Sequence, residues 1–475
     1  MTGERTETDL CVIGAGSGGL TVAAGASQMG ARVVLIEKGK MGGDSLNTGC
    51  VPSKALIAAA ERAHLAAGGG AFGIRCQAVE VDYKAVHDHV QGVIAAIAPN
   101  DSEARFRDLG VTVIKGHARF TGRRQVTVGE QTIRARRFVI ASGSSPAIPP
   151  IDGLDKVPYL TNETIFDLDD RPHSLMVIGG GPIGLEIAQA MARLGVSVTV
   201  LEKFSFLPRD DPEAAAVVLE SLRQDGVKLL DAVDIEGLTG DRAAIRVSGQ
   251  RKGQPLSLAA SHLLVATGRR PNVDDLGLER AGIDFSPRGI AVDRKLRTGN
   301  RRVFAIGDVT GGLQFTHVAA AEAGIVLRNA LFPFSTRSGG KAVPWVTYTD
   351  PELAHVGLTE AAAREKGGPV RVLRWPLADN DRAQAERRTD GLIKVVTGRR
   401  GRILGATIAA AGAGELILPW VLAIDAGLGI GAMAGVIAPY PTVAEISKRV
   451  AGSYYTPALF APPMRRLVRL LMRLP

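Results

Sequence analysis

Between Ser45 and Lys54 a single stretch brings together a thiol, an amine and three hydroxyls, in Met41-Gly42-Gly43-Asp44-Ser45-Leu46-Asn47-Thr48-Gly49-Cys50-Val51-Pro52-Ser53-Lys54. Gly43 and Gly49 bracket a polar turn, so backbone can come close to a flat ligand. Pro52 then opens a long apolar helix, Ala55 to Ala67, as a first-turn proline does. Cys50 is therefore expected just ahead of a helix N-terminus. The partial positive charge there, with Lys54 one turn in, favours thiolate over thiol and marks Cys50 as a reactive sulfur. Three cysteines, Cys11, Cys50 and Cys76, make neither a disulfide framework nor a zinc spacing. Cys11 lies within an apolar strand and reads as inert core, and Cys76 has no motif around it.

A repeated unit surrounds this stretch. Asp9-Leu10-Cys11-Val12-Ile13-Gly14-Ala15-Gly16-Ser17-Gly18-Gly19 runs from an apolar strand through G-x-G-x-x-G into an alanine-rich helix, and a second strand, Arg32 to Ile36, ends in Glu37. This is a dinucleotide fingerprint. Gly14 permits the turn, Gly16 lets a pyrophosphate reach the helix N-terminus beside Ser17, Gly19 allows close packing, and Glu37, followed by Lys38, can accept from a ribose hydroxyl. Leu175-Met176-Val177-Ile178-Gly179-Gly180-Gly181-Pro182-Ile183-Gly184 repeats it at an offset of 165 residues, so Gly14, Gly16, Gly19, Gly30 and Glu37 map onto Gly179, Gly181, Gly184, Gly195 and Glu202. Pro182 and Ile183 sit at the second helix start. The chain binds two dinucleotides, or one dinucleotide and a relic site. A carboxylate at Glu202 favours NADH, because it would repel a 2′-phosphate, while the adjacent Lys203 keeps NADPH open.

The cysteine stretch resembles the redox segment of the pyridine nucleotide-disulfide oxidoreductases (dihydrolipoamide dehydrogenase, glutathione reductase, mercuric reductase), with pattern GG-x-C-x-x-x-x-C-x-P-S-K. In that pattern two cysteines form a disulfide beside the flavin. Here Cys50 stands at the second position and Ser45 at the first. The resemblance implies that the first unit takes FAD, with Gly43, Asp44 and Gly49 beside it. Thr298 to Asp308 resembles the second FAD motif, whose aspartate bonds the ribityl chain. The second unit would take the nicotinamide cofactor, NADH or NADPH. Phe138 to Gly143 and Leu263 to Asn272 resemble the paired motifs where the chain crosses between domains, which places Ser142, Gly143 and Gly268 among the cofactor contacts. By the same resemblance Lys54 lies under the flavin N5 edge and pairs with Glu186, and Thr316-His317 opens a helix pointing at the flavin O2. Pro439-Tyr440-Pro441-Thr442-Val443-Ala444-Glu445 matches a His-Pro-Thr and glutamate motif, a base and its orienter, with Tyr440 in place of the histidine. A tyrosine there resembles the mercuric reductase branch, but the tail from Tyr454 to Pro475 lacks that branch's vicinal cysteines.

The fold implied is α/β: two Rossmann-like dinucleotide-binding domains plus a C-terminal α+β dimerisation domain. The FAD domain spans 1–150 and 270–340, the NAD(P) domain 151–269 and the interface domain 341–475. Length and composition agree, since 475 residues suggest about three domains, and 45% hydrophobic with 22% charged residues is ordinary for a globular chain. The net charge of +9 is spread along the sequence and gives no clustered nucleic-acid face. The first residues carry no secretory pattern, so a reducing cytoplasm is expected, and Leu416 to Ala438 is broken by Pro419 and Asp425, reading as packed helices rather than a membrane span. The sequence implies an FAD-dependent NAD(P)H oxidoreductase that is homodimeric and needs no metal. Its thiol-exchange step would be disabled by Ser45, and its acceptor would be a disulfide, quinone or metal ion. A single-cysteine peroxidase cycling through sulfenic acid and a non-catalytic nicotinamide sensor are the alternatives. The tail from Met464 to Leu474 is basic and amphipathic, suited at most to peripheral membrane contact, with packing across the dimer as its expected use.

Overall fold

The computed structural model describes residues 5–75, 78–241, 243–333, 336–340 and 342–474; Cys76 lies outside them. By internal contacts the chain divides into two compact units. The first comprises Met1–Gly179, Ala190–Leu201 and Val233–Gly339, and the second Gly180–Gln189, Glu202–Ala232 and Gly340–Pro475.

In the first unit the strands are β1 (Arg5–Ile13), β2 (Val33–Glu37), β3 (Val111–Lys115), β4 (Arg119–Gly122), β5 (Gln125–Val128) and β6 (Gln131–Ile140). They form one sheet in the order β3-β2-β1-β6-β5-β4. Leu10-Cys11-Val12-Ile13 is buried without alternation, as a parallel strand covered on both faces must be. It pairs in parallel with β2 (Leu10↔Val33) and with β6 (Leu10↔Arg137). Phe120 of β4 and Phe138 of β6 meet edge to face at 5.2 Å. A second parallel set, β7 (Ser174–Ile178), β8 (Ser197–Leu201) and β9 (His262–Val265), repeats the arrangement of β1, β2 and β6, with β7 between the other two. Strand β10 (Val303–Ala305) returns to pair with β6.

The helices that position the site are α1 (Ser17–Gln28), α2 (Gly43–Asn47), α3 (Cys50–Ala67), α4 (Pro182–Arg193) and α5 (Thr316–Leu331). Small residues on α1 let α5 lie close against it. A Cβ at Gly25 would come within 2.7 Å of Leu327, and one at Gly18 within 3.3 Å of Ala319. That approach fixes α5 and so delivers Thr316, its first residue, to the end of the molecule where α3 begins.

The second unit holds an antiparallel sheet of β11 (Pro344–Thr347), β12 (Glu352–Gly357), β13 (Arg371–Pro376), β14 (Leu392–Thr397) and β15 (Ile403–Ala410), ordered β11-β12-β15-β14-β13. The alternating stretches of sequence from Gly391 to Val396 and from Arg402 to Ile408, expected as strands of an antiparallel sheet, are β14 and β15. Helices α6 (Leu418–Asp425), α7 (Glu445–Ser453) and α8 (Pro462–Leu471) follow. Trp420 of α6 is fully buried and donates from Nε1 to Ser447 Oγ at 3.1 Å. Lys394, only 5% exposed, lies 2.7 Å from Asp211, 2.9 Å from Glu360 and 3.4 Å from Glu213. The hydrogen bond from Lys394, then that from Arg364, holds the Glu360 carboxyl down at about 2.

Candidate functional site

The two glycine loops prove to be one structure built twice. Gly14 has φ +104°, and a Cβ there would stand 2.3 Å from Ala141 O; Gly179 has φ +118°, and its Cβ would stand 2.3 Å from Ala266 O. At Gly19 a Cβ would fall 1.9 Å from Gly14 O, so only glycine lets α1 start this close to β1. Glu37 braces the first loop, Oε2 accepting from Ala15 N and Oε1 from Gly39 N, both at 2.6 Å. Glu202 makes the corresponding pair in the second, from Gly180 N at 2.7 Å and Phe204 N at 2.9 Å. The 165-residue offset thus extends to individual hydrogen bonds.

Both loops leave room where a pyrophosphate would rest. A Cβ at Gly16 finds nothing nearer than Gly43 Cα at 4.0 Å, and one at Gly181 finds nothing within 4 Å. Gly16 caps α1 without a side-chain hydrogen bond, so the helix start is open to an anion. Either loop therefore fits the pyrophosphate of a dinucleotide, the first with Ser17 at the helix start and Lys38 following Glu37, the second with Pro182 and Ile183 opening α4 beside Gly184.

Around the first loop runs a polar network that local sequence does not reveal. Arg269 lies 3.3 Å from Asp44 and 3.8 Å from Asp308, and its Nε donates to Ser144 Oγ at 2.8 Å. Ser144 Oγ donates to Asp308 Oδ2 at 2.5 Å. Asp44 Oδ1 accepts from Thr48 Oγ1 at 2.8 Å and Asn162 Nδ2 at 3.1 Å, which pins the cysteine stretch to the chain following β6. Burial raises the Asp308 carboxyl above its ordinary range, opposed by the Ser144 hydrogen bond and Arg269. Burial likewise raises Glu322, whose Oε2 accepts from Gly307 N at 2.7 Å. Arg269, Ser144 and Asn162 escape a reading of motifs; only Arg269, directly after Gly268, stood in a stretch already singled out.

The reactive stretch itself folds as α2, a break at Thr48 and Gly49, and then α3. Cys50 is the first residue of α3 with Gly49 as its cap, one step further into the helix than the sequence suggests. It is exposed, and its Sγ lies 3.6 Å from Thr316 Oγ1. Thr316 Oγ1 also donates to Ser45 Oγ at 3.4 Å. One hydroxyl at the start of α5, which has no side-chain cap, thus touches both positions of the motif. Ser53 Oγ donates to Cys50 O at 3.2 Å and receives Lys54 Nζ at 3.3 Å, and His317 stacks on Phe315 at 5.2 Å. Gly143, at φ +68°, and Gly268, at φ +122°, have nothing within 4 Å of a built Cβ, and Ser142 donates from Oγ to Asn272 O at 2.8 Å. Cys11 is buried in β1, which pushes its thiol far above its ordinary value and leaves it inert.

In the second unit Glu186 is 6% exposed and accepts from Tyr348 N at 2.9 Å. It sits beyond the first turn of α4 rather than within it, so it is not placed to complement the helix start. Tyr440 donates to Asp381 Oδ2 at 2.6 Å, a bond that raises the phenol above its ordinary value, and Glu445 pairs with Arg449 at 2.7 Å. Among the described residues, no group of three or more His, Cys, Asp or Glu side chains could hold a metal ion, and no helix is long and apolar enough to cross a membrane.

Residues 8–323 match the family model described as pyridine nucleotide-disulphide oxidoreductase, and residues 343–451 match the dimerisation domain of the same group. A mercuric reductase of Streptomyces lividans is 38% identical over 465 residues, covering 96% of this chain and 98% of that protein. A dihydrolipoyl dehydrogenase of Geobacillus stearothermophilus is 35% identical over 453 residues, covering 94% and 96%. Among solved structures, the Cu(II) complex of the HOCl-induced flavoprotein disulfide reductase RclA from Escherichia coli superposes with TM-score 0.84 at 30% identity, over 94% of this chain and 99% of that one.

Proposed function

This chain belongs to the pyridine nucleotide-disulphide oxidoreductase family, whose cofactors are FAD and NAD(P)H, and we propose that it carries reducing equivalents from a nicotinamide dinucleotide to an acceptor other than a disulfide. One observation supports this most directly. Ser45 Oγ stands where dithiol exchange needs a second sulfur, and it shares Thr316 with Cys50 Sγ. A hydroxyl cannot close an S–S bond, so the pair cannot cycle between dithiol and disulfide. Cys50 remains as a lone thiol that can bind a soft metal ion or attack an electrophile, with Thr316 orienting it.

In this reading the first glycine loop would hold FAD, which when bound would supply a two-electron relay between nicotinamide and acceptor. Gly14, Gly16, Ser17, Gly19, Glu37 and Lys38 hold its adenosine and pyrophosphate end, and Gly43, Asp44, Gly49, Ser142, Gly143, Asp308 and the α5 start at Thr316 hold the remainder. Gly179, Gly181, Pro182, Ile183, Gly184, Glu202 and Gly268 serve the nicotinamide dinucleotide, Glu202 favouring NADH. Lys54 and Glu186 tune transfer between the two carriers, and Tyr440 with Glu445 occupies the positions of the family's base and orienter. Quinones and metal ions are the favoured acceptors, because neither requires a second sulfur in the protein.

The test is an acceptor screen with NADH and NADPH on the wild-type protein and on Ser45→Cys. Wild type should reduce a quinone or Cu(II) but turn over small disulfides at least tenfold more slowly than Ser45→Cys does. Equal disulfide turnover by the two proteins would sink the proposal.

A further inference from the structure

Helix α8 ends the described chain in an arrangement that its own fold does not use. Pro462 and Pro463 start it after Ala461, and it runs for 10 residues. At 3.6 residues per turn, Met464, Leu467, Val468 and Leu471 share one stripe, while Arg465, Arg466 and Arg469 share the opposite face, continued by Arg473 beyond the last turn. A helix so divided ordinarily buries its apolar stripe, but here those four side chains remain 37–52% exposed. Leu459 and Phe460 extend the exposed apolar strip toward the preceding turn.

The charge pattern selects what covers it. From Ile446 to Leu474 the sequence contains six cationic side chains, Lys448, Arg449, Arg465, Arg466, Arg469 and Arg473, and no Asp or Glu. A second copy seated on the stripe would cover its four apolar side chains but leave the arginines of the opposite face without any anionic partner. The family's dimerisation domain, moreover, matches only as far as residue 451 and stops before the helix. An anionic surface with an apolar interior satisfies both faces at once. At 1.5 Å per residue α8 is about 15 Å long, half of the roughly 30 Å a bilayer core requires, so it would lie in the interface plane and not cross it.

We propose that α8 docks this protein onto anionic phospholipid, its Met464, Leu467, Val468 and Leu471 stripe facing the acyl boundary and its arginines the headgroup phosphates. One such helix binds weakly and reversibly. Two on one dimer would bind far more tightly through effective concentration.

Co-sedimentation of the full-length, flavin-loaded protein with vesicles tests this, using phosphatidylcholine alone and phosphatidylcholine mixed with phosphatidylglycerol. Wild type should pellet with the mixed vesicles, stay in solution with the neutral ones, and be released by high salt as headgroup attraction is screened. Arg466→Gln with Arg469→Gln should lower partitioning on the order of thirtyfold, at about one kilocalorie per charge near an anionic leaflet. Leu467→Glu with Leu471→Glu should abolish it. In both variants flavin content and oligomeric state should match wild type. No binding to mixed vesicles, equal binding to neutral ones, or unchanged binding by the variants would overturn the proposal. So would a change of oligomeric state in the Leu467→Glu, Leu471→Glu protein, which would assign the stripe to contact between copies.

Discussion

A methyl group at Gly16 separates ligand space from protein space. The residue has φ −81° and ψ −177°, which alanine adopts freely, and its built Cβ meets nothing nearer than Gly43 Cα at 4.0 Å. Gly16→Ala should therefore leave the apoprotein folded, and even stabilise it by about 0.4–1 kcal/mol through the lost flexibility of the unfolded chain. The same methyl intrudes where a pyrophosphate would lie against the helix start. Overpacking of that kind costs about 1–3 kcal/mol, or roughly five- to 150-fold in affinity. Flavin absorbance per chain after gel filtration, followed by titration of FAD into the stripped protein, reads the loss, and circular dichroism reads the fold. Gly181→Ala is its counterpart, with an open Cβ position in the second loop. It should raise KM for the nicotinamide dinucleotide by a similar factor and leave flavin content untouched. Gly19→Ala is a different kind of change, since its Cβ would stand 1.9 Å from Gly14 O and damage the loop itself. The assignment of loops to ligands is wrong if Gly16→Ala keeps full flavin affinity, or if Gly181→Ala is the variant that sheds flavin.

Further expectations come from the charged groups. Lys394→Met leaves Asp211, 3% exposed, without its ammonium partner, at a cost of about 3–5 kcal/mol; a thermal midpoint equal to wild type would show that the cluster adds nothing. The Glu360 carboxyl, at about 2 instead of 4.5, contributes stability that is complete above 4.5 and lost as pH falls toward 2. Glu360→Gln should accordingly flatten the acid limb of a stability-against-pH curve, and parallel curves would refute the assignment. Glu322 has the opposite sign. Its carboxyl is raised by burial, so its contribution is complete in acid and lost as pH rises through the raised value. Glu322→Gln should thus gain on wild type as pH rises, and a constant difference between the two would contradict this.

The repeated loops were legible in the sequence because their determinants are local. Glycine spacing, a preceding apolar strand and a terminal carboxylate all fall within one βαβ unit, and the structure adds only that Glu37 and Glu202 spend both oxygens on backbone. The network of Asp44, Ser144, Arg269 and Asp308 was not legible as a network. Its members are far apart in the chain, and their meeting depends on the pairing of Arg269–Pro271 with Ser144–Pro146 and of β10 with β6, which no short window records. Thr316 is intermediate: its place at a helix start could be read, but its reach to both Cys50 and Ser45 required the close packing of α1 on α5. The exact start of α3 moved by one residue because Cys50, with no cap-forming side chain, enters the helix behind Gly49.

The double brace made by Glu202 bears on any effort to retrain this protein from one nicotinamide to the other. The obvious edit, exchanging that carboxylate for a group that welcomes a 2′-phosphate, would also release the amides of Gly180 and Phe204, each held by a bond of the charged class worth about 1.5–3 kcal/mol. On the proposed role of Glu202, preference and loop shape would rest on the same carboxylate. A successful redesign has to install a substitute strut before it touches the acid, or work from the neighbouring side chains and leave Glu202 in place.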